Sequence, residues 1–213
     1  MRTDSSSRRN ELPTSGAHPE PPEQQNSTAK RTHPSGTVAG VLLMISTVAL
    51  GLTAGLLFTF GMAVMPGLAA TDDHTYVTAM QSFNDTIQSN WALAVLFVGV
   101  LPATVAAAVL DYRSGRGAAA RWAAYATVLY LVALLVTAGF NIPMNSDLAA
   151  AGNPSTMTDF AIVDRFKTSW VAANALRAAL CAVALGCLTR ALVLHGRSTA
   201  TTGRVEGSRQ TDR

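Results

Sequence analysis

The segment WALAVLFVGVLPATVAAAVL, Trp91 to Leu110, runs twenty residues without a charged side chain. About 20 apolar residues in a helix cross the roughly 30 Å of hydrocarbon in a bilayer. Three more runs of this kind flank it: Val38 to about Met65, closed by Pro66-Gly67; Trp122 to Phe140; and Trp170 to about Leu194. No charge occurs between Arg31 and Asp72, between Asp85 and Asp111, or between Arg121 and Asp147. Lipid offers the backbone no hydrogen-bond partners, so all four runs must be helical. The fold class is therefore all-α, an integral membrane four-helix bundle, and Pro102 is expected to kink its second span.

Composition agrees. Of 213 residues, 49% are hydrophobic and 14% charged, with a mean hydropathy of +0.25. Soluble domains carry about 25% charged residues, which argues against a soluble enzyme, a nucleic-acid binder or a disulfide-stapled secreted module. The net charge of +3 and pI of 9.2 do not point to nucleic acid, because Lys and Arg fall at span ends and in the tails. Cys181 and Cys187 sit six residues apart, about 9 Å along a helix, too far for a disulfide. They read as buried thiols.

Residues 1–36 and 195–213 are polar and should be disordered tails, which leaves 37–194 as the membrane domain. A signal peptide is a poor rival for the first run, whose apolar stretch is too long for a signal core. Thirteen of the sixteen Lys and Arg residues lie in the N-terminal tail, in the link between spans two and three, and at the C-terminal end from Arg190 on. The positive-inside rule then puts both termini in the cytoplasm of a multi-pass cell-membrane protein.

After the first span, Tyr76, Val77, Met80, Phe83 and Ile87 recur at helical spacing, with Asp72 or Asp73 available as N-cap. This predicts a short amphipathic helix at the outer membrane surface. Its polar stripe, His74, Gln81, Asn84 and Gln88, reads as a solvated face. Gly51 and Gly55 form a small-xxx-small pair suited to close helix packing, and a homo-oligomer is compatible with it.

The polar residues of the second half carry more chemistry. Asn141-Ile-Pro-Met-Asn145 follows span three directly. Trp170, Asn174 and Arg177 share one face of span four, with Arg177 about 10 Å deeper than Trp170. A charge at that depth should face the bundle interior or a wet cavity. No acid lies at similar depth, so the expected partners are the carboxamides of Asn84, Asn141, Asn145 and Asn174 and carbonyls near Pro143. One arrangement is a polar clamp between helices. The other is a pocket for an anionic or hydrogen-bonding ligand, favoured by a positive charge with no carboxylate. No cluster of His or carboxylates suits a metal centre, and no glycine-rich phosphate loop is present.

Several blocks in order, Gly51-Leu-Thr-Ala-Gly-Leu-Leu-Phe-Thr-Phe60, Ala63-Val-Met-Pro-Gly-Leu68, Ala79-Met-Gln-Ser-Phe-Asn84, Asn141-Ile-Pro-Met-Asn145 and Trp170-Val-Ala-Ala-Asn-Ala-Leu-Arg177, resemble the anthrone oxygenase family. The resemblance covers about Val38 to Leu194. It implies a four-span membrane oxidoreductase of monooxygenase type, in polyketide tailoring, that oxidises an anthrone to a quinone with O₂ and no cofactor or metal. Its partners would be the lipid bilayer, a hydrophobic aromatic small molecule and O₂. Mapped onto this chain, Arg177 would stabilise an oxyanion with help from Asn174. Asn84, Asn141 and Asn145 would orient substrate oxygens, and Trp170 would stack. His74, Asp85 and Asp147 are equal candidates for the base. The alternative is a non-catalytic four-helix membrane binding or scaffold protein whose Asn/Arg clamp is structural.

Overall fold

A computed structural model of the protein describes the backbone of residues 34–211 and the side chains of residues 36–200. The tail expected before residue 34 lies outside the described residues. The described chain is helical throughout, without a strand: α1 (Pro34–Thr59), α2 (Met65–Ala69), α3 (Asp73–Ser89), α4 (Trp91–Arg113), α5 (Gly117–Val136), α6 (Ile142–Ala150) and α7 (Ala161–Thr211). Four stretches are long and apolar enough to cross a membrane: Gly36–Ala69, Trp91–Arg113, Gly117–Ala150 and Ala161–Ala200.

The spans pack in the cyclic order α1, α4, α5, α7, each against its two neighbours. Small residues dominate the seam. Ala54, Ala107, Ala123, Ala126, Ala133, Ala184 and Ala191 are buried around Leu43, Leu50, Val100 and Leu188, and such side chains let helix backbones approach closely. The outward face carries Val41, Ile45, Val48, Val105, Val128 and Val183, a surface suited to lipid. Gly51 and Gly55 do not mark a close crossing. A Cβ on Gly51 would meet Leu185 at 3.9 Å, and one on Gly55 would meet nothing within 4 Å.

Two spans continue past their expected ends. Pro66-Gly67 does not close the first helix; a π-helical turn, Phe60–Val64, leads into α2. The third span does the same through Thr137–Asn141 into α6. The cause is shared. Pro66 and Pro143 have no N–H for the carbonyls four residues back, and their rings crowd those carbonyls. The widened turn just before each proline accommodates the ring, with i→i+5 bonds from Met65 N–H to Phe60 O and from Ile142 N–H to Thr137 O. Pro102 lies within α4.

The amphipathic helix forms as α3, but it covers the end of the bundle with the middle of its polar stripe, Gln81 and Asn84, turned inward, while His74 and Gln88 stay exposed. Gln81 Nε2 donates to Leu148 O at 2.9 Å and Gly152 O at 3.1 Å, and Asn84 is buried. Tyr76, Val77 and Met80 pack with Met65, Leu148, Val163, Phe166 and Trp170 in a second core under this cap. Phe166 stacks on Trp170 at 6.1 Å between ring centres. Lys167 Nζ reaches Asp73 Oδ1 at 3.0 Å and lies 4.9 Å from the Tyr76 ring centre, tying α7 to the start of α3.

At the opposite end, Asp111 is fully buried at the end of α4. Its Oδ1 accepts from Arg116 Nε at 2.7 Å and lies 2.8 Å from His195 Nδ1. His195, read from sequence as the first residue of the tail, is 7% exposed. It approaches α1 so closely that a Cβ on Gly40 would sit 3.0 Å from its Nε2. The folded core therefore extends past Leu194.

Removing one partner of a buried ionic cluster strands the others. Asp111→Ala should lower stability by about 3 kcal/mol, read as a fall in Tm in detergent; an unchanged Tm would contradict the cluster's role. A second test concerns the α3 cap. The exposed Asp72 carboxylate accepts from Thr75 N at 2.9 Å and from Thr75 Oγ1 at 2.7 Å, bonds that hold its carboxyl below the usual range. Protection of the first α3 turn should be complete above the ordinary value near 3.9 and lost as pH falls through the lowered native value. Asp72→Asn, an equally good cap, should abolish that acid dependence in amide exchange corrected for intrinsic rates.

Candidate functional site

Under the α3 cap, the four spans leave a cavity of about 410 Å³, within the range of small-molecule sites. The expected helix face of α7 lines it, with Trp170, Asn174 and Arg177, and Cys181 one turn deeper. Asn84 enters from α3, Asn141 from the second π turn and Asn145 from α6. Six of the residues singled out from sequence thus meet in one place.

His74, Asp85 and Asp147 do not join them. All three are exposed, and none lines the cavity. Asp85 adjoins Asn84 in sequence, but consecutive helical residues point about 100° apart. The lining residues that titrate are Tyr130, Arg177 and Cys181.

The carboxamides divide their work. Asn174 Nδ2 donates to Leu57 O at 2.9 Å, joining α7 to α1 one step before the first π turn. Trp170 Nε1 donates to Asn145 Oδ1 at 2.9 Å, joining α7 to α6. Asn141 is 2% exposed, and neither its Nδ2 nor its Oδ1 has a partner. Asn84 Nδ2 and Asn174 Oδ1 are likewise unpartnered. A buried polar atom without a bond costs about 1–3 kcal/mol. Four of them around one cavity, two donors and two acceptors, define a place for a polar guest.

Arg177 departs from expectation. Among the described residues it has no carboxylate partner and no hydrogen bond to any of the four asparagines. It stands over the cavity near Tyr130 and Cys181. Tyr130 donates its hydroxyl proton to Phe97 O on α4. Among the described residues, no three His, Cys, Asp or Glu side chains converge as a metal site would require.

Other lining residues escaped the sequence reading. Thr53 and Tyr130 look like ordinary span residues, and Gln88 belongs to a stripe read as solvated. Phe60, Thr137 and Ala138 reach the cavity from π turns, features that are common at functional sites. The signal that could have found them is Pro66 and Pro143, each following an apolar helix that has nowhere polar to stop.

Residues 88–187 match the family model described as Anthrone oxygenase. This supports the resemblance carried by Asn141–Asn145 and Trp170–Arg177; the blocks of α1 and α3 lie before the match. No curated protein and no solved structure matches the chain.

Gly61 offers a test of the site's packing. A Cβ there would lie 3.2 Å from Asn174 Nδ2, whereas one on Gly67 would meet nothing within 4 Å. Gly61→Ala should push Asn174 off Leu57 O and cost about 1–2 kcal/mol. Gly67→Ala should be neutral or slightly stabilising in the same unfolding measurement.

Proposed function

We propose that the protein is a membrane-embedded, cofactor-independent oxygenase that converts an anthrone-like aromatic to a quinone with O₂. The observation that carries this reading is the cavity itself, where an unpaired guanidinium faces an apolar slot ringed by unpartnered carboxamides. The family match over residues 88–187 supports it.

In the overall change, the CH₂ carbon opposite the anthrone carbonyl becomes a second carbonyl. It loses two hydrogens and gains one oxygen atom from O₂, while the other oxygen leaves as water. The first step is loss of a CH₂ proton, which turns the existing carbonyl into an aromatic oxyanion. That anion is rich enough in electrons to reduce O₂.

Arg177 is the residue for the oxyanion, since a cation held in a low-dielectric site favours the ionised substrate. Asn84, Asn141 and Asn174 supply donors and acceptors for further phenol or carbonyl oxygens, and Trp170 with Phe60, tilted 49° to it at 6.3 Å between ring centres, gives an aromatic wall. Among the described residues no carboxylate or imidazole lines the cavity, so the proton passes to water at the polar mouth formed by the exposed lining residues Gln88 and Ser146, not to His74, Asp85 or Asp147. Catalysis then consists of holding, orienting and charge stabilisation.

Orientation belongs to the same proposal: both termini lie on the cytoplasmic side, which sets the cavity beneath the outer headgroups. The alternative scaffold reading gains from the Asn174–Leu57 and Trp170–Asn145 bonds, but it leaves Arg177 without a role.

Membranes containing the protein should accelerate O₂ uptake by emodin anthrone, with or without a chelator. Arg177→Gln should lower kcat/KM by about 100-fold, the scale of losing one oxyanion donor, with unfolding unchanged. Wild-type rates in that folded variant would remove the oxyanion role, and no acceleration by the wild-type protein would remove the oxygenase reading.

A further inference from the structure

The wall of the cavity is incomplete on one side. Ala94 and Val98 of α4, Ala138 of the second π turn and Ile142 of α6 line the cavity and are exposed on the outer surface of the bundle at once. Val98 is 64% and Ile142 54% exposed. A residue can face both ways only where the wall is one side chain thick and open at its edge.

The third span explains the gap. α4 packs closely along α5, but the π turn that continues α5 packs against α7 instead. The turn set by Pro143 thus draws the end of the third span away from α4. The residues flanking the opening are small: Ala94, Ala138, and Gly139, at which a Cβ would meet nothing within 4 Å. All lie on stretches long and apolar enough to cross a membrane, so the opening faces lipid. The unpartnered carboxamides and Arg177 lie inside it.

We propose that this slit between α4 and the Thr137–Ile142 segment is a lateral portal, through which a flat, membrane-dissolved aromatic with oxygen substituents enters the cavity directly from the bilayer. The proposal rests on the reading of the cavity as a ligand site. It accounts for a polar, ligand-ready interior reached through an apolar edge: the ligand crosses Ala94 and Ala138 with its apolar body and finds hydrogen-bonding groups only once inside. A water-soluble anion would meet a barrier on this path, whereas a neutral polycyclic phenol would not. The polar mouth at Gln88 and Ser146 is left for water and protons.

The experiment uses emodin, a hydroxyanthraquinone, as a binding probe that requires no turnover. In the full-length protein with Trp91→Phe and Trp122→Phe, Trp170 in the cavity wall is the remaining tryptophan. Its fluorescence should be quenched when emodin, preloaded into vesicles, binds. Ala94→Phe and Ala138→Phe narrow the slit from its lipid-facing edges. Each should slow association and dissociation together by at least about tenfold while leaving Kd within about threefold. Val95→Phe, on the exposed face of α4 away from the cavity, should leave both rates unchanged, and Ser146→Phe, at the polar edge of the cavity, should slow them less than the slit variants do.

Unchanged rates in both slit variants would overturn the portal, and so would slowing by Ser146→Phe alone. Both outcomes leave the cavity intact as a binding site. If emodin does not quench Trp170 in any variant, the ligand-site reading falls and the portal with it.

Discussion

A guanidinium in the middle of an apolar helix is the constraint on which this structure turns. Arg177 cannot face lipid without a large cost, so α7 must present that face to the bundle, and with it Trp170, Asn174 and Cys181. The neighbouring spans then leave room, because among the described residues Arg177 is bonded to no carboxylate and no carboxamide. In most bundles the Ala-rich seam would continue to the end. Here it continues through Ala123, Ala126 and Ala133 and gives way above them to a cavity.

Each neighbour makes that room by the same means. In the first and third spans a proline follows two residues after a π-helical turn, and the turn shifts the register of everything beyond it. Asn174 holds α7 to α1 just before the first of these turns through Leu57 O, and Trp170 holds α7 to α6 through Asn145. The α3 helix closes the end with Asn84 pointing in and Gln81 tied to Leu148 and Gly152. At the far end, where the chain needs rigidity and no cavity, Asp111 gathers Arg116 and His195 instead.

Much of this was legible in the sequence because bilayer physics leaves few choices. Long apolar runs fix the four spans, and spacing of three and four residues puts Trp170, Asn174 and Arg177 on one face. The apolar spacing of Tyr76, Val77 and Met80 locates α3. What was not legible depends on tertiary contact. A stripe such as Gln81, Asn84 and Gln88 reads as solvated unless one knows that the helix lies over an open bundle. Pro66-Gly67 reads as a terminator because the usual response to proline is a stop and not a widened turn. Arg177 was expected to bond its neighbouring amides, yet Asn174 turns its amide toward Leu57 O and leaves Oδ1 unpartnered, while Asn145 Oδ1 accepts from Trp170. His195 looked like tail because its partner, Asp111, lies 84 residues away.

The π turns also set how tolerant the two spans are to changes in length. An ordinary α-helix that loses one residue turns everything beyond the loss by about 100°, a phase error that buried faces do not survive. In these spans the extra residue is already part of the wide turn. Deleting one position there would restore plain α winding and leave Asn145, or Met65 and Leu68, close to their present heading. The helix would be shorter by one residue and still cross the bilayer, with the side chains beyond the turn still aimed as before. Span length and side-chain aim are separable in this chain, and each is governed by a different handful of residues.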